Sequence, residues 1–106
     1  MSKDITTLRE LTAIGPCLVI FGAKWAPPSV ALDKIWRKSP LPDLNYLFVD
    51  VEESSAYADF HNVVTIPTAL TLYNGRELDR KIGALTYTEV LSMGRVAQSY
   101  DLKHTQ

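Results

Sequence analysis

A single cysteine, Cys17, stands among 106 residues. One thiol cannot close an intrachain disulfide, and a cysteine-rich metal cluster is excluded. Histidine is nearly as scarce. His61 and His104 have no ligand partners at metal-site spacing, so no metal and no other cofactor is expected. An excess of charge of either sign is missing too. Eleven Lys and Arg against twelve Asp and Glu leave a net charge of −1, which gives no long-range pull toward nucleic acid or an anionic membrane. Tyr57, Tyr73, Tyr87 and Tyr100 follow no RNA-binding pattern. No apolar run approaches the ~20 residues that span a bilayer, and Met1-Ser2-Lys3-Asp4 lacks the apolar core of a signal peptide. Neither a nucleic-acid nor a membrane partner is expected, and the low cysteine content favours a cytoplasmic protein.

What is present is an ordinary globular composition, 46% hydrophobic and 22% charged. Repeats, low-complexity tracts and linkers are absent, so residues 1–106 are expected to form one domain. Ser2 or Asp4 caps a short helix ending near Gly15, with Leu8 and Leu11 inward; a stub of edge strand over Lys3 to Thr6 is the alternative. Residues 17–23 are nearly all apolar, as in a strand buried on both faces. Residues 29–38 fit a helix, and Ser39-Pro40-Leu41-Pro42-Asp43 a loop. Tyr46 to Val51 reads as a second central strand, and Glu53 to Asn62 as a helix with Ala56, Tyr57 and Phe60 inward. Asn74-Gly75 separates the strand runs Ala69 to Tyr73 and Glu77 to Ile82, which is a strong hairpin signal. Thr86-Tyr87-Thr88-Glu89 matches a capping box and opens a last helix whose apolar face holds Val90, Leu91, Met93, Val96 and Ala97. Gly94 weakens that helix slightly, and Lys103 to Gln106 is a frayed tail. Strand–helix–strand units demand parallel pairing and the hairpin adds antiparallel strands. The expected architecture is α/β in three layers, a mixed sheet of about four strands with helices on both faces.

Four segments in this order resemble the thioredoxin family over roughly residues 3–100. Phe21-Gly22-Ala23-Lys24-Trp25-Ala26-Pro27-Pro28-Ser29 is similar to its active-site strand and loop, and Phe48-Val49-Asp50-Val51 to its next strand. Thr65-Ile66-Pro67-Thr68 is similar to its cis-proline segment, and Asn74-Gly75 with Lys81-Ile82-Gly83-Ala84-Leu85 to its final hairpin and the residues beyond. The resemblance implies a thioredoxin-like fold and a monomer. It also implies a cis Ile66–Pro67 bond facing the helix start, with the Ile66 backbone open to an added peptide strand. Trp25, Pro27, Pro28, Ile66, Pro67, Gly83 and Ala84 would line a shallow substrate groove.

In the family a Cys-x-x-Cys motif occupies the positions of Ala26 and Ser29. A thiolate at a helix start attacks a substrate disulfide, and the second thiol resolves the mixed disulfide. Ala26 carries no nucleophile, and the Ser29 hydroxyl stays protonated and forms no sulfur–sulfur bond. With no base near it, Ser29 is not a serine nucleophile either. Three further departures stand nearby: Ile20 replaces a strand aspartate, Gly22 an aromatic residue and Lys34 a helix-kinking proline. Two histories fit these residues. In one, sulfur was replaced in a Cys-Pro-Pro-Cys disulfide oxidoreductase, whose partners are disulfide-containing or reduced proteins. In the other, a naturally redox-dead relative binds a dedicated protein partner through the groove or serves as a structural subunit. Cys17 reads as a small core residue, and Asp50, Glu52 and Glu53 as a solvated acidic helix start.

Overall fold

The computed structural model describes residues 5–104. Helix α1 (Ile5–Leu11) leads into strand β1 (Pro16–Gly22), then α2 (Pro27–Lys38), β2 (Asn45–Asp50) and α3 (Ser55–Phe60). Strands β3 (Thr68–Tyr73) and β4 (Arg76–Ile82) follow, and α4 (Tyr87–His104) closes the described chain. The strands form one sheet in the order β2-β1-β3-β4. β1 pairs parallel with β2, and β3 pairs antiparallel with β1 and β4. This is the expected mixed sheet between two helical layers.

β1 shows why its seven residues are all buried. Side chains alternate across a strand, and both faces are covered. Cys17, Val19 and Phe21 join Leu8 of α1 and Tyr57 and Ala58 of α3 in one core layer. Leu18 and Ile20 join Leu32 and Trp36 of α2 and Val90, Met93 and Ala97 of α4 in the other. Each fully buried large side chain contributes about 1.5–3 kcal/mol. A polar residue at any of these strand positions would meet apolar neighbours on its own side of the sheet.

Local signals shape the turns as expected. Asn74 and Gly75 both take positive φ, 51° and 82°, which the two-residue hairpin requires. Thr86 Oγ1 accepts from the Glu89 amide at 3.2 Å, and the Thr86 amide donates to Glu89 Oε1 at 3.1 Å, a reciprocal capping box.

Helix faces are where the fold departs from the sequence reading. Ile5 and Thr6 are helical, so no edge strand forms there. The proposed caps Ser2 and Asp4, and the tail residues Thr105 and Gln106, lie outside the described residues. Leu11 is exposed, and Thr12 turns inward instead, its Oγ1 bonded to Leu8 O at 3.0 Å and to the Tyr57 hydroxyl at 2.9 Å. α3 is shorter than Glu53 to Asn62. It buries Tyr57 and Ala58, while Ala56 and Phe60 face solvent; the Arg9 guanidinium covers the Phe60 ring at 4.4 Å. On α4, Val96 is 60% exposed. Gly94 is buried there. A Cβ on it would come within 3.0 Å of Leu44 and 3.1 Å of Leu41, so its bareness lets α4 approach the loop before β2.

Candidate functional site

β1 and β2 end together, with Gly22 opposite Asp50, and β3 begins beside Phe21 at Thr68. The C-terminal ends of the parallel strands and the entry to β3 therefore share one pole of the sheet. The chain leaves β1 there as Ala23-Lys24-Trp25-Ala26 and turns into α2.

Ala26 is the N-cap of α2, with φ −98° and ψ 103°, and no side chain caps the helix. Pro27 and Pro28 fill the first helical positions, where their missing N–H groups leave nothing unsatisfied. Both are exposed. Trp25 is 65% exposed and donates its indole N–H to Glu52 Oε1 at 3.0 Å. Ser29 is fully buried, and its hydroxyl has no hydrogen-bond partner. It lies over Gly22: a Cβ on that glycine would stand 2.4 Å from Ser29 Oγ. Gly22 is thus bare because Ser29 fills the space that a side chain would need. Ile20 is fully buried among apolar residues of the α2/α4 layer, the environment of an ordinary core residue.

The second set of candidate residues is also held together. The Ile66–Pro67 bond is cis. Thr68 Oγ1 donates to Thr65 O at 2.6 Å, and the Gly83 amide donates to Pro67 O at 3.0 Å. Gly83 has φ +95°, which a side chain would strain, and exposed Ala84 follows it. Val64 is 92% exposed and Ile82 is exposed as well. The two sets share the pole through the pairing of Phe21 with Thr68.

One residue that carries this site was misread from the sequence. Asp50 is 7% exposed and belongs to no solvated cluster. Its Oδ2 accepts from the Lys24 amide at 2.8 Å; its Oδ1 accepts from the amides of Glu52 at 2.8 Å and Glu53 at 3.2 Å. Lys24 also pairs with Glu53. Asp50 thereby ties the β1–α2 loop to the β2–α3 loop and sets Glu52 beneath the Trp25 indole. The signal available in the sequence was its place at the end of a parallel strand, where the sites of open α/β sheets form.

Burial alone would raise the Asp50 pKa. The three backbone donors and the Lys24 charge outweigh it, so the carboxyl lies below its ordinary value of 3.8. The unfolded chain then binds more protons than the folded one near that value. The stabilisation from Asp50 is complete above the ordinary value and is lost as pH falls through the folded one. Asp50→Asn is a sharp probe, because an amide has one accepting oxygen. Either orientation turns its NH2 toward a backbone N–H, at a cost of about 2 kcal/mol. Urea unfolding at pH 7 should show that loss, and the gap to the parent should close as pH falls below 4. A gap that stayed constant with pH would remove the latch from this account.

Among the described residues no group of His, Cys, Asp and Glu could hold a metal ion, and no helix is long and apolar enough to cross a membrane. Cys17 sits at the other end of β1, 1% exposed, and burial pushes its thiol up to about 12.

No protein-family model matches the chain. Among curated proteins, it is 35% identical over 82 residues to a putative thioredoxin H10 of Arabidopsis thaliana, covering 74% of this chain and 53% of that protein. It is 32% identical over 73 residues to a thioredoxin of Chlamydia trachomatis, covering 67% of this chain and 72% of that protein. The chain thus spans about half the length of the plant relative and nearly three quarters of the bacterial one. Its structure is similar to a mutant thioredoxin of Halobacterium salinarum, with a TM-score of 0.77 and 22% identity, over 94% of this chain and 88% of that one. At that identity the likeness shows the fold, which is the thioredoxin fold.

Proposed function

The chain belongs to the thioredoxin family, and on that premise we propose that it is an oxidoreductase scaffold that performs no thiol–disulfide exchange in this form. It works instead by holding an extended segment of a protein partner at the pole formed by Trp25–Ser29, Ile66–Pro67 and Gly83–Ala84. One observation carries this reading. The sole thiol of the chain is buried at the wrong end of β1, roughly 16 Å from the α2 loop at about 3.3 Å per strand residue, and is not ionised near neutral pH. Attack on a disulfide needs an exposed thiolate, and neither Ala26 nor Ser29 supplies one. The features left at the pole are those of a contact surface: exposed Trp25, Pro27 and Pro28, with exposed Val64 and Ile82 at the same end. A cytoplasmic, monomeric protein without a cofactor fits this role.

The test has two arms. Added to insulin with dithiothreitol, the protein should give no precipitation faster than dithiothreitol alone; acceleration would refute redox silence. Titrated with reduced, alkylated insulin B chain, it should shift the amides of Trp25, Ile66, Gly83 and Ala84, and Trp25→Ala should abolish those shifts. Shifts that survive Trp25→Ala, or that fall elsewhere, would refute the binding pole.

A second reading concerns origin, and the partnerless Ser29 hydroxyl favours it. A buried hydroxyl without a partner costs about 1–3 kcal/mol, whereas a thiol behaves there as a small hydrophobe. The cavity that Ser29 fills therefore suits sulfur better than oxygen, as in a Cys-Pro-Pro-Cys parent. The natural codons at positions 26 and 29 decide between that parent and a naturally redox-dead lineage.

A further inference from the structure

A cavity of about 440 Å3 lies at the pole of the sheet opposite the α2 loop. Three distant segments build its walls: Arg9 and Glu10 from α1, Phe60 and His61 from the end of α3, and Gly75 and Arg76 from the β3–β4 turn. The turn is pinned to the chain before β1. The Gly15 amide donates to Asn74 Oδ1 at 2.7 Å, and the Asn74 amide to Gly15 O at 3.2 Å. The volume falls in the range of small-molecule sites, about 300–1,000 Å3.

The charges facing this cavity are unbalanced. Arg80 borders the cavity by donating to the His61 carbonyl, but Glu77 balances its charge. Arg9 and Arg76 have no ion pair among the described residues, and Glu10 is the one carboxylate among the lining residues. The Arg9 guanidinium lies over the Phe60 ring, its central carbon 4.4 Å from the centroid, a cation–π contact that lessens the freedom lost on binding an oxyanion. His61 packs edge-on to Phe60 at 5.0 Å, extending the aromatic wall. Burial holds its pKa below the ordinary 6.5, so at neutral pH the ring adds apolar surface rather than charge.

We propose that this cavity is a binding site for a small aromatic oxyanion, its ring against the parts of Phe60 and His61 that Arg9 leaves open to the cavity and its carboxylate or phosphate held between Arg9 and Arg76. The two halves of the ligand answer two features of the cavity. Aromatic walls without the arginines would take a neutral ring, and paired arginines without the walls would take any anion. Glu10 opposes the bound charge and sets an upper limit on affinity. The site is independent of thiol chemistry and stands whether or not the opposite pole binds a protein.

The test is a titration of the full chain with phenyl phosphate and with benzoate, followed by amide chemical shifts. Inorganic phosphate and benzyl alcohol serve as the separate halves. Either aromatic anion should shift Gly75, Arg76 and His61 amides to saturation, and the separate halves should bind at least about tenfold more weakly, as expected when each half supplies 1.4 kcal/mol or more. Arg76→Gln should weaken phenyl phosphate about tenfold or more, in line with a charge-assisted hydrogen bond. Arg76→Lys should fall between, and Glu10→Gln should tighten binding. Absence of saturable shifts with both anions overturns the site. So does binding unchanged by Arg76→Gln, or inorganic phosphate binding as tightly as phenyl phosphate.

Discussion

Ala26→Cys combined with Ser29→Cys should make the chain reduce insulin roughly threefold faster than dithiothreitol alone at pH 7, because a lowered thiol pKa raises the thiolate fraction while blunting its nucleophilicity. A sulfur at position 26 would sit at the N-cap of α2, where the helix dipole favours a thiolate. A sulfur at position 29 would take the buried space over Gly22 without leaving a polar atom orphaned. Two features of the site should hold the gain below that of a tuned reductase. Pro27 and Pro28 remove the first two helical N–H donors that would bond a thiolate at the cap. Ile20 offers no carboxylate beneath the loop to take the second thiol's proton. The reduction rate of the double variant should therefore keep climbing between pH 7 and 9 rather than level off near neutrality. Ser29→Cys alone should give nothing, and Ala26→Cys alone, mixed with substrate in the absence of dithiothreitol, should trap it as a mixed disulfide, because the chain offers no second thiol to resolve it. A folded double variant no faster than dithiothreitol would show that the scaffold has lost more than two sulfur atoms.

Local chemistry made much of this fold readable. Asn74-Gly75 demanded positive φ, Thr86 and Glu89 could bond each other across one turn, and the apolar run of β1 had to be covered on both faces. None of these depends on a distant residue. Errors arose where a distant partner decides. Thr12 rather than Leu11 turns inward because Tyr57, 45 residues away, offers it a hydroxyl. Ala56 and Phe60 lost the inner face of α3 to Ala58, since a six-residue helix has one inward stripe and its rotation is set by what it packs on. The candidate site divides in the same way. The Trp25–Ser29 loop and the Ile66–Pro67 turn were visible as motifs. Asp50 was not, because its three donors come from two loops that meet only once Gly22 and Asp50 stand in register. Nor was the fit of Ser29 over Gly22, which requires knowing how α2 returns across β1.

Trp36→Ala should be the most damaging single change in the molecule, at about 3–5 kcal/mol, or a fall in melting temperature of roughly 15 °C or more. Trp36 is fully buried in the layer between α2, α4 and the sheet. Its ring stacks on Tyr46 at 5.9 Å and meets Tyr87 at 5.5 Å. Tyr46 is anchored in turn, its hydroxyl donating to Asp33 Oδ1 at 2.8 Å on the same helix. The far end of the indole packs beside Gly94, 3.6 Å from where a Cβ would stand, an ordinary contact. Removing the ring strips contacts from three elements at once, and that well-braced neighbourhood cannot collapse into the void. Trp36→Phe separates packing from polarity. The indole N–H has no hydrogen-bond partner, so the native residue already bears a desolvation penalty of about 1–3 kcal/mol that phenylalanine removes. Its cost should be less than half that of alanine despite the smaller ring. Because α2 carries Pro27, Pro28 and Ser29 at its other end, Trp36→Ala should also broaden the amide signals of Trp25 and Ala26, whereas Trp36→Phe should leave them sharp. Equal losses from the two variants in urea unfolding would mean that a phenyl ring restores none of the packing, and would overturn this reading of the layer.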